Sequence, residues 1–236
     1  MLGILKVDIK NNKIIFASLL LAISIFTLCL YFGLYEIRFF NDALEAKKLS
    51  SQNTNFLKWI ELIYPLIFTS FIIKIFSDSH SRETIAFSLS LPISNFKFLI
   101  CRFFLWTLIF FLLFYPSISF FKGAVINELG YDFLPVWGFH TYTLINMVVL
   151  STYVLFIQII LGQYYYALGC LFLYVLFDYF SEGRFLKNFT LHPLSFKAFS
   201  DYEFIQNRIT LIAIALVLII LIYLLLEKSN MFRKNI

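Results

Sequence analysis

The side chains best suited to chemistry in this sequence are three histidines (His80, His140, His192), three cysteines (Cys29, Cys101, Cys170) and four charged residues bordering apolar runs (Glu61, Lys74, Arg102, Asp178). Gathered together, such groups could hold a zinc ion, arm a thiolate or pass a proton between carboxylates. Their spacing argues against each. The histidines fall in three separate segments and the cysteines in three apolar runs, where a thiol behaves as a small hydrophobe; an odd, scattered set fits neither a disulfide framework nor a metal site. Glu61, Lys74, Arg102 and Asp178 lie close to the ends of their runs, where snorkelling towards the headgroups accounts for them, whereas an intramembrane enzyme needs ionisable groups at mid-depth. No phosphate-cradling Gly-x-x-x-x-Gly-Lys-Ser/Thr, zinc-binding His-Glu-x-x-His or Gly-x-Ser-x-Gly elbow occurs. The expectation is a non-enzymatic chain that binds no metal, cofactor or nucleic acid itself.

The elements that carry these residues follow from composition. Hydrophobic residues make up 61% of the chain and charged ones 14%, against about 25% charged in a soluble domain, and the mean hydropathy is +0.84. This is the composition of an integral membrane protein. Crossing about 30 Å of hydrocarbon takes roughly 20 apolar residues in a helix. Six stretches qualify, at about 14–35, 59–76, 98–121, 139–161, 163–180 and 209–226. The second is the weakest, since Glu61 and Lys74 bracket only 12 uncharged residues and Pro65 lies in its first turn. The 42 residues of 139–180 are about twice a bilayer as one rod, so they divide at Leu161-Gly162-Gln163 into a tight hairpin. The predicted fold is all-α, a single polytopic membrane domain over 1–236 with six transmembrane helices.

Orientation rests on the first helix. Lys6, Lys10 and Lys13 precede it, and Glu36, Arg38, Asp42 and Glu45 follow it closely, which favours cytoplasmic termini (N-in, C-in) in a bacterial plasma membrane. Counted over all loops the cations are nearly tied, ten inside against nine outside. The first apolar run is too long for a cleavable signal and reads as a retained anchor. Ahead of it, Leu2, Leu5 and Ile9 share a helical face opposite the lysines, as in an interfacial helix, although an ordinary basic flank has the same composition. Trp59, Trp137, Tyr142, Tyr164, Tyr165, Tyr166 and Tyr179 gather at span ends as an interfacial belt, and Trp106, deeper, is expected to pack between helices.

Two connecting segments stand out. Residues 181–208 form an outer loop rich in apolar side chains, which fits either a re-entrant pair of short helices broken near His192-Pro193 or an amphipathic lid. On the inner side, Ser79 or Ser81 can cap a short helix with Glu83 in its first turn; Ile85 and Leu89 share one face, Phe87 and Leu91 another, and Pro92 ends it. On these grounds alone, it could simply be a surface helix shortening a loop.

Thr84 followed by Leu89-Ser-Leu-Pro-Ile-Ser94 resembles the cytoplasmic loop of the ABC-2 type permeases, the membrane subunits of a class of ATP-binding cassette transporters. The local match covers about fourteen residues, and the layout of spans, tight fourth turn and apolar outer loop is similar over the whole chain. Glu83 stands where that family commonly has glycine. The resemblance implies that 82–91 is a coupling helix seating in an ATPase, through Arg82, Glu83, Thr84, Phe87, Leu89, Leu91 and Pro92. It further implies two copies of a separate ATPase subunit that bind ATP and magnesium, a second permease as homodimer or related heterodimer partner, and surrounding membrane lipid. By the same resemblance the seam between permeases would bring Tyr64, Thr69, Tyr165, Tyr166 and Gly169 near a substrate path. The implied function is export of an amphipathic or hydrophobic substrate, foremost an antimicrobial peptide in secretion or self-immunity. A non-transporting immunity or scaffold protein, or an intramembrane enzyme, are the alternatives.

Overall fold

The structure is a computed structural model that describes residues 13–41, 62–77, 95–129, 138–181, 189–191 and 201–234. Six helices account for nearly all of these: α1 (Lys13–Asn41), α2 (Leu62–Ser77), α3 (Asn95–Leu129), α4 (Gly138–Leu161), α5 (Tyr164–Phe180) and α6 (Asp201–Lys234). There are no strands among the described residues. Four helices are long and apolar enough to cross a membrane, over Lys13–Phe32, Phe96–Ala124, Thr143–Leu161 and Ile205–Glu227. The shorter α2 and α5 are also apolar, with lengths of about 24 and 26 Å. The interfacial stretch 2–12, the coupling segment 81–94 and the break at His192-Pro193 lie outside the described residues.

Side-chain pairs fix the helix directions. Tyr31 of α1 meets Phe120 of α3 with ring centroids 6.3 Å apart, and Phe26 and Phe114 flank Tyr64 of α2 at 4.8 and 4.7 Å. Further along α2, Phe68 meets Phe110 at 4.6 Å, and Phe76 lies under the Arg102 guanidinium at 5.3 Å. Residue numbers therefore rise along α2 as they fall along α3, while α1 and α3 run parallel. Thr69 and Ile73 of α2 contact Ser151 and Gln158 of α4 in parallel order. Phe96, at the start of α3, meets Tyr223 near the end of α6. Successive helices thus alternate in direction.

The reversal between α4 and α5 is built by Gly162. Its φ of 70° is the left-handed conformation that costs an L-residue with a Cβ. Its N–H donates to the Gln158 carbonyl at 2.9 Å, closing α4 with a left-handed cap. Gln163 then extends (φ −131°, ψ 133°) and α5 begins at Tyr164. The hairpin expected at Leu161-Gly162-Gln163 is therefore present.

Helix α4 is the central element. Half of its apolar window is buried, against 17–28% for the other three long helices. Its buried side chains include Thr143, Asn146, Ser151, Thr152 and Gln158. Two charged residues read as snorkelling in fact turn inward: Arg102 and Asp178 are both buried. Arg102 is held over the Phe76 face, a desolvated cation on an aromatic ring, and Asp178 is held by a backbone donor described below. Lys74 does stay exposed, 5.9 Å from the Tyr164 ring centroid. Trp106 is buried in the core between helices, as expected.

Candidate functional site: a polar clasp above an apolar crevice

The alternating directions bring the start of α4, the end of α5 and the start of α6 to one end of the bundle. There Asn146, Asp178, Asn207 and Arg208, all buried, surround the short turn 189–191. Arg208 spreads its guanidinium among three acceptors. Nη1 donates to Asn146 Oδ1 at 2.7 Å, Nε to Asn207 Oδ1 at 2.9 Å, and Nη2 to the Thr190 carbonyl at 3.4 Å. The same carbonyl accepts from Asn207 Nδ2 at 3.1 Å, and the Leu191 carbonyl accepts from Asn146 Nδ2 at 2.8 Å. The Leu191 N–H donates to Asp178 Oδ2 at 2.8 Å, and the Thr190 side chain also hydrogen-bonds this carboxylate. Across the turn, the Asp178 and Arg208 charges attract one another. On its outer side, the Tyr174 hydroxyl donates to the Phe189 carbonyl at 2.6 Å.

This arrangement meets a specific need. Non-helical backbone at the edge of a membrane is tolerated only where protein covers it and satisfies its polar groups. Here three consecutive backbone carbonyls, at Phe189, Thr190 and Leu191, each receive a side-chain donor. The planar guanidinium suits the role because its fork can bond several acceptors at once without a proton equilibrium of its own. Chemically, the clasp positions a turn and locks three helix ends together.

Directly beneath it lies a crevice of about 380 Å³. Val149, Leu150 and Tyr153 of α4, Tyr174 of α5, Phe189 of the turn and Leu211 and Ile214 of α6 line it. Val149, Tyr174 and Leu211 sit about one helical turn from Asn146, Asp178 and Arg208, so clasp and crevice are stacked.

The five residues expected near a substrate path are not gathered at one place. Tyr64 and Thr69 are buried in the bundle. The Tyr64 hydroxyl hydrogen-bonds Ser117 Oγ at 2.6 Å and Thr27 Oγ1 at 3.2 Å; Thr27 and Ser117 also bond each other, and Thr69 Oγ1 reaches Ser151 Oγ at 3.3 Å. Tyr165 and Tyr166, 66% and 56% exposed, and Gly169 lie on the outer surface of α5. The seven residues assigned to ATPase coupling, from Arg82 to Pro92, lie outside the described residues. No His, Cys, Asp and Glu grouping able to hold a metal ion occurs among the described residues.

No protein family, curated protein or solved structure matches this chain.

Sequence reasoning passed over the clasp, although a signal was present. Asn146 is an amide within an apolar run, and Asn207-Arg208 precedes another, each costly in hydrocarbon unless satisfied. Judging each polar residue by its distance from the nearest span end misses that Asn146, Asp178 and Arg208 fall at the same level of three neighbouring helices.

Proposed function

We propose that this chain is the permease subunit of an ATP-driven exporter of the ABC-2 type, a multi-pass protein with six spans and both termini cytoplasmic. The observation that carries the reading is Thr84 with Leu89-Ser-Leu-Pro-Ile-Ser94, between α2 and α3. Contact between Phe76 and Arg102 supports it, because the helix ends bracketing that segment meet at one end of the bundle. Lys13, Lys74, Lys97 and Arg102 belong to that same end, the sign of charge favoured on a cytoplasmic face. In this reading 82–91 receives the movement of a separate ATPase, two copies of which bind ATP and magnesium. Two permeases, alike or related, form the pathway. The cargo is amphipathic or hydrophobic, foremost a peptide exported or expelled in self-immunity.

The test is co-purification and coupling. Full-length protein from its native membrane should bring down an ATP-binding subunit, and Glu83→Lys or Leu89→Asp should leave the protein inserted while separating ATP hydrolysis from export. Wild-type export by both variants would sink the proposal. One observation favours a second reading, a non-transporting immunity or scaffold protein: the described polar groups of α4–α6 bond mainly to one another. Such a protein would protect cells with the 82–91 segment disrupted, an outcome the same variants detect.

A further inference from the structure

The crevice beneath the clasp needs a filling that the chain itself does not supply among the described residues. Its lining is almost wholly carbon. Water would find few partners there, because the lining turns almost no polar surface towards it and the Tyr174 hydroxyl already donates to the Phe189 carbonyl. Left dry, a void of about 380 Å³ would strip its lining of dispersion contacts. Val149 and Leu150 belong to the apolar window Thr143–Leu161, and Leu211 and Ile214 to Ile205–Glu227, so with these helices crossing a bilayer the surrounding medium at this depth is hydrocarbon. The charges just above are turned on each other, with Arg208 donating to Asn146, Asn207 and Thr190. Shape and apolarity therefore select the occupant, with no headgroup charge required.

The geometry points to a binding site for one phospholipid acyl chain, drawn from the leaflet nearer the 189–191 turn and lodged among α4, α5 and α6, with Phe189 bounding it on the side of the clasp. The inserted chain completes the packing under the clasp and makes the lipid part of the α4–α6 unit. This inference rests on the chain crossing a bilayer, and its test separates the two claims.

Full-length protein is reconstituted in phosphatidylcholine vesicles containing a trace of phosphatidylcholine with a diazirine near the end of one acyl chain, irradiated, and mapped for adducts by mass spectrometry. Tyr153 and Tyr174 line the crevice and are only partly buried, whereas Ile220 and Leu224, away from it, are 57% and 52% exposed. Adducts are expected at both pairs. Ile214→Trp, which fills the crevice, should cut labelling of Tyr153 and Tyr174 by about fivefold or more and leave Ile220 and Leu224 unchanged; Val149→Phe serves as a second filling variant should the first misfold. Labelling of Ile220 and Leu224 alone overturns the site, as does Tyr153 and Tyr174 labelling that both variants leave intact. Absence of adducts at Ile220 and Leu224 instead removes these helices from hydrocarbon, and the membrane reading falls with the site.

Discussion

Helices α1–α3 and α4–α6 are joined by different chemistry. The first three share a hydroxyl triad, Thr27, Tyr64 and Ser117, set in an aromatic stack of Phe26, Tyr64, Phe110 and Phe114. The last three share a charged clasp that captures backbone. Hydroxyls both donate and accept, so a triad that loses one member can re-pair. A guanidinium donates only, and acceptors gathered around it have no substitute when it is removed. One half therefore tolerates rearrangement of its polar contacts and the other does not. Any change of shape in this chain would move the clasped half as a unit and take up the adjustment in and around α1–α3.

The sharpest way to break this contrast is Arg208→Met. It leaves Asn146 Oδ1, Asn207 Oδ1 and the Asp178 carboxylate without their cation in a buried setting, and should destabilise the detergent-solubilised protein by about 3–5 kcal/mol. Arg208→Lys should recover only part of this, since a single ammonium cannot reproduce the fork. Unfolding midpoints by intrinsic fluorescence in micelles measure both. An unmoved midpoint in Arg208→Met would mean that the clasp does not hold its helices together. A smaller loss is expected from Asp178→Asn, which keeps an acceptor for the Leu191 N–H but removes the charge facing Arg208. The difference between a charged and a neutral hydrogen bond sets it at about 1–2 kcal/mol.

On the other side of the comparison, Tyr64→Phe keeps the ring between Phe26 and Phe114 and removes only the hydroxyl. Thr27 and Ser117 still bond each other, and the Thr27 hydroxyl also donates to the Ile23 carbonyl at 2.7 Å. The expected loss is about 0.5–1.5 kcal/mol, read from the same unfolding curves. A loss as large as that of Arg208→Met would erase the distinction between the halves.

How much of this was legible in the sequence follows from what each feature depends on. Long apolar runs become helices because the backbone must bond to itself in hydrocarbon, so α1, α3, α4 and α6 could be read from composition. Gly162 announced the α4–α5 reversal because a left-handed cap favours that residue. Helix ends were less legible: α1, α3 and α6 extend to Asn41, Leu129 and Lys234, past the apolar stretches at 14–35, 98–121 and 209–226. Hydropathy marks where hydrocarbon ends, and a helical ladder can continue into headgroups and water. The clasp's polar members were visible in the sequence, but not their assembly. Asp178 and Arg208 are 30 residues apart and meet only because α5 and α6 run in opposite directions around the 189–191 turn.

The link between the halves is the most delicate test. Thr69 of α2 and Ser151 of α4 face each other in the buried interior, with oxygens 3.3 Å apart, a long separation for a hydroxyl pair. Beside it, Gln158 Nε2 reaches the Ile73 carbonyl, also at 3.3 Å. Both contacts are longer than every clasp contact except that of Arg208 Nη2 with the Thr190 carbonyl at 3.4 Å. A double-mutant cycle of Thr69→Val and Ser151→Ala isolates the hydroxyl pair from the methyl and packing changes that either substitution brings. The coupling should be about 0.6 kcal/mol or less, the usual size for such pairs within membranes. A weak link is what sliding between two bundles requires, because a strong bond would have to break at every excursion. Coupling of several kcal/mol would instead weld α2 to α4, and the bundle would then be one rigid body rather than two halves meeting where α2 and α3 face α4 and α6.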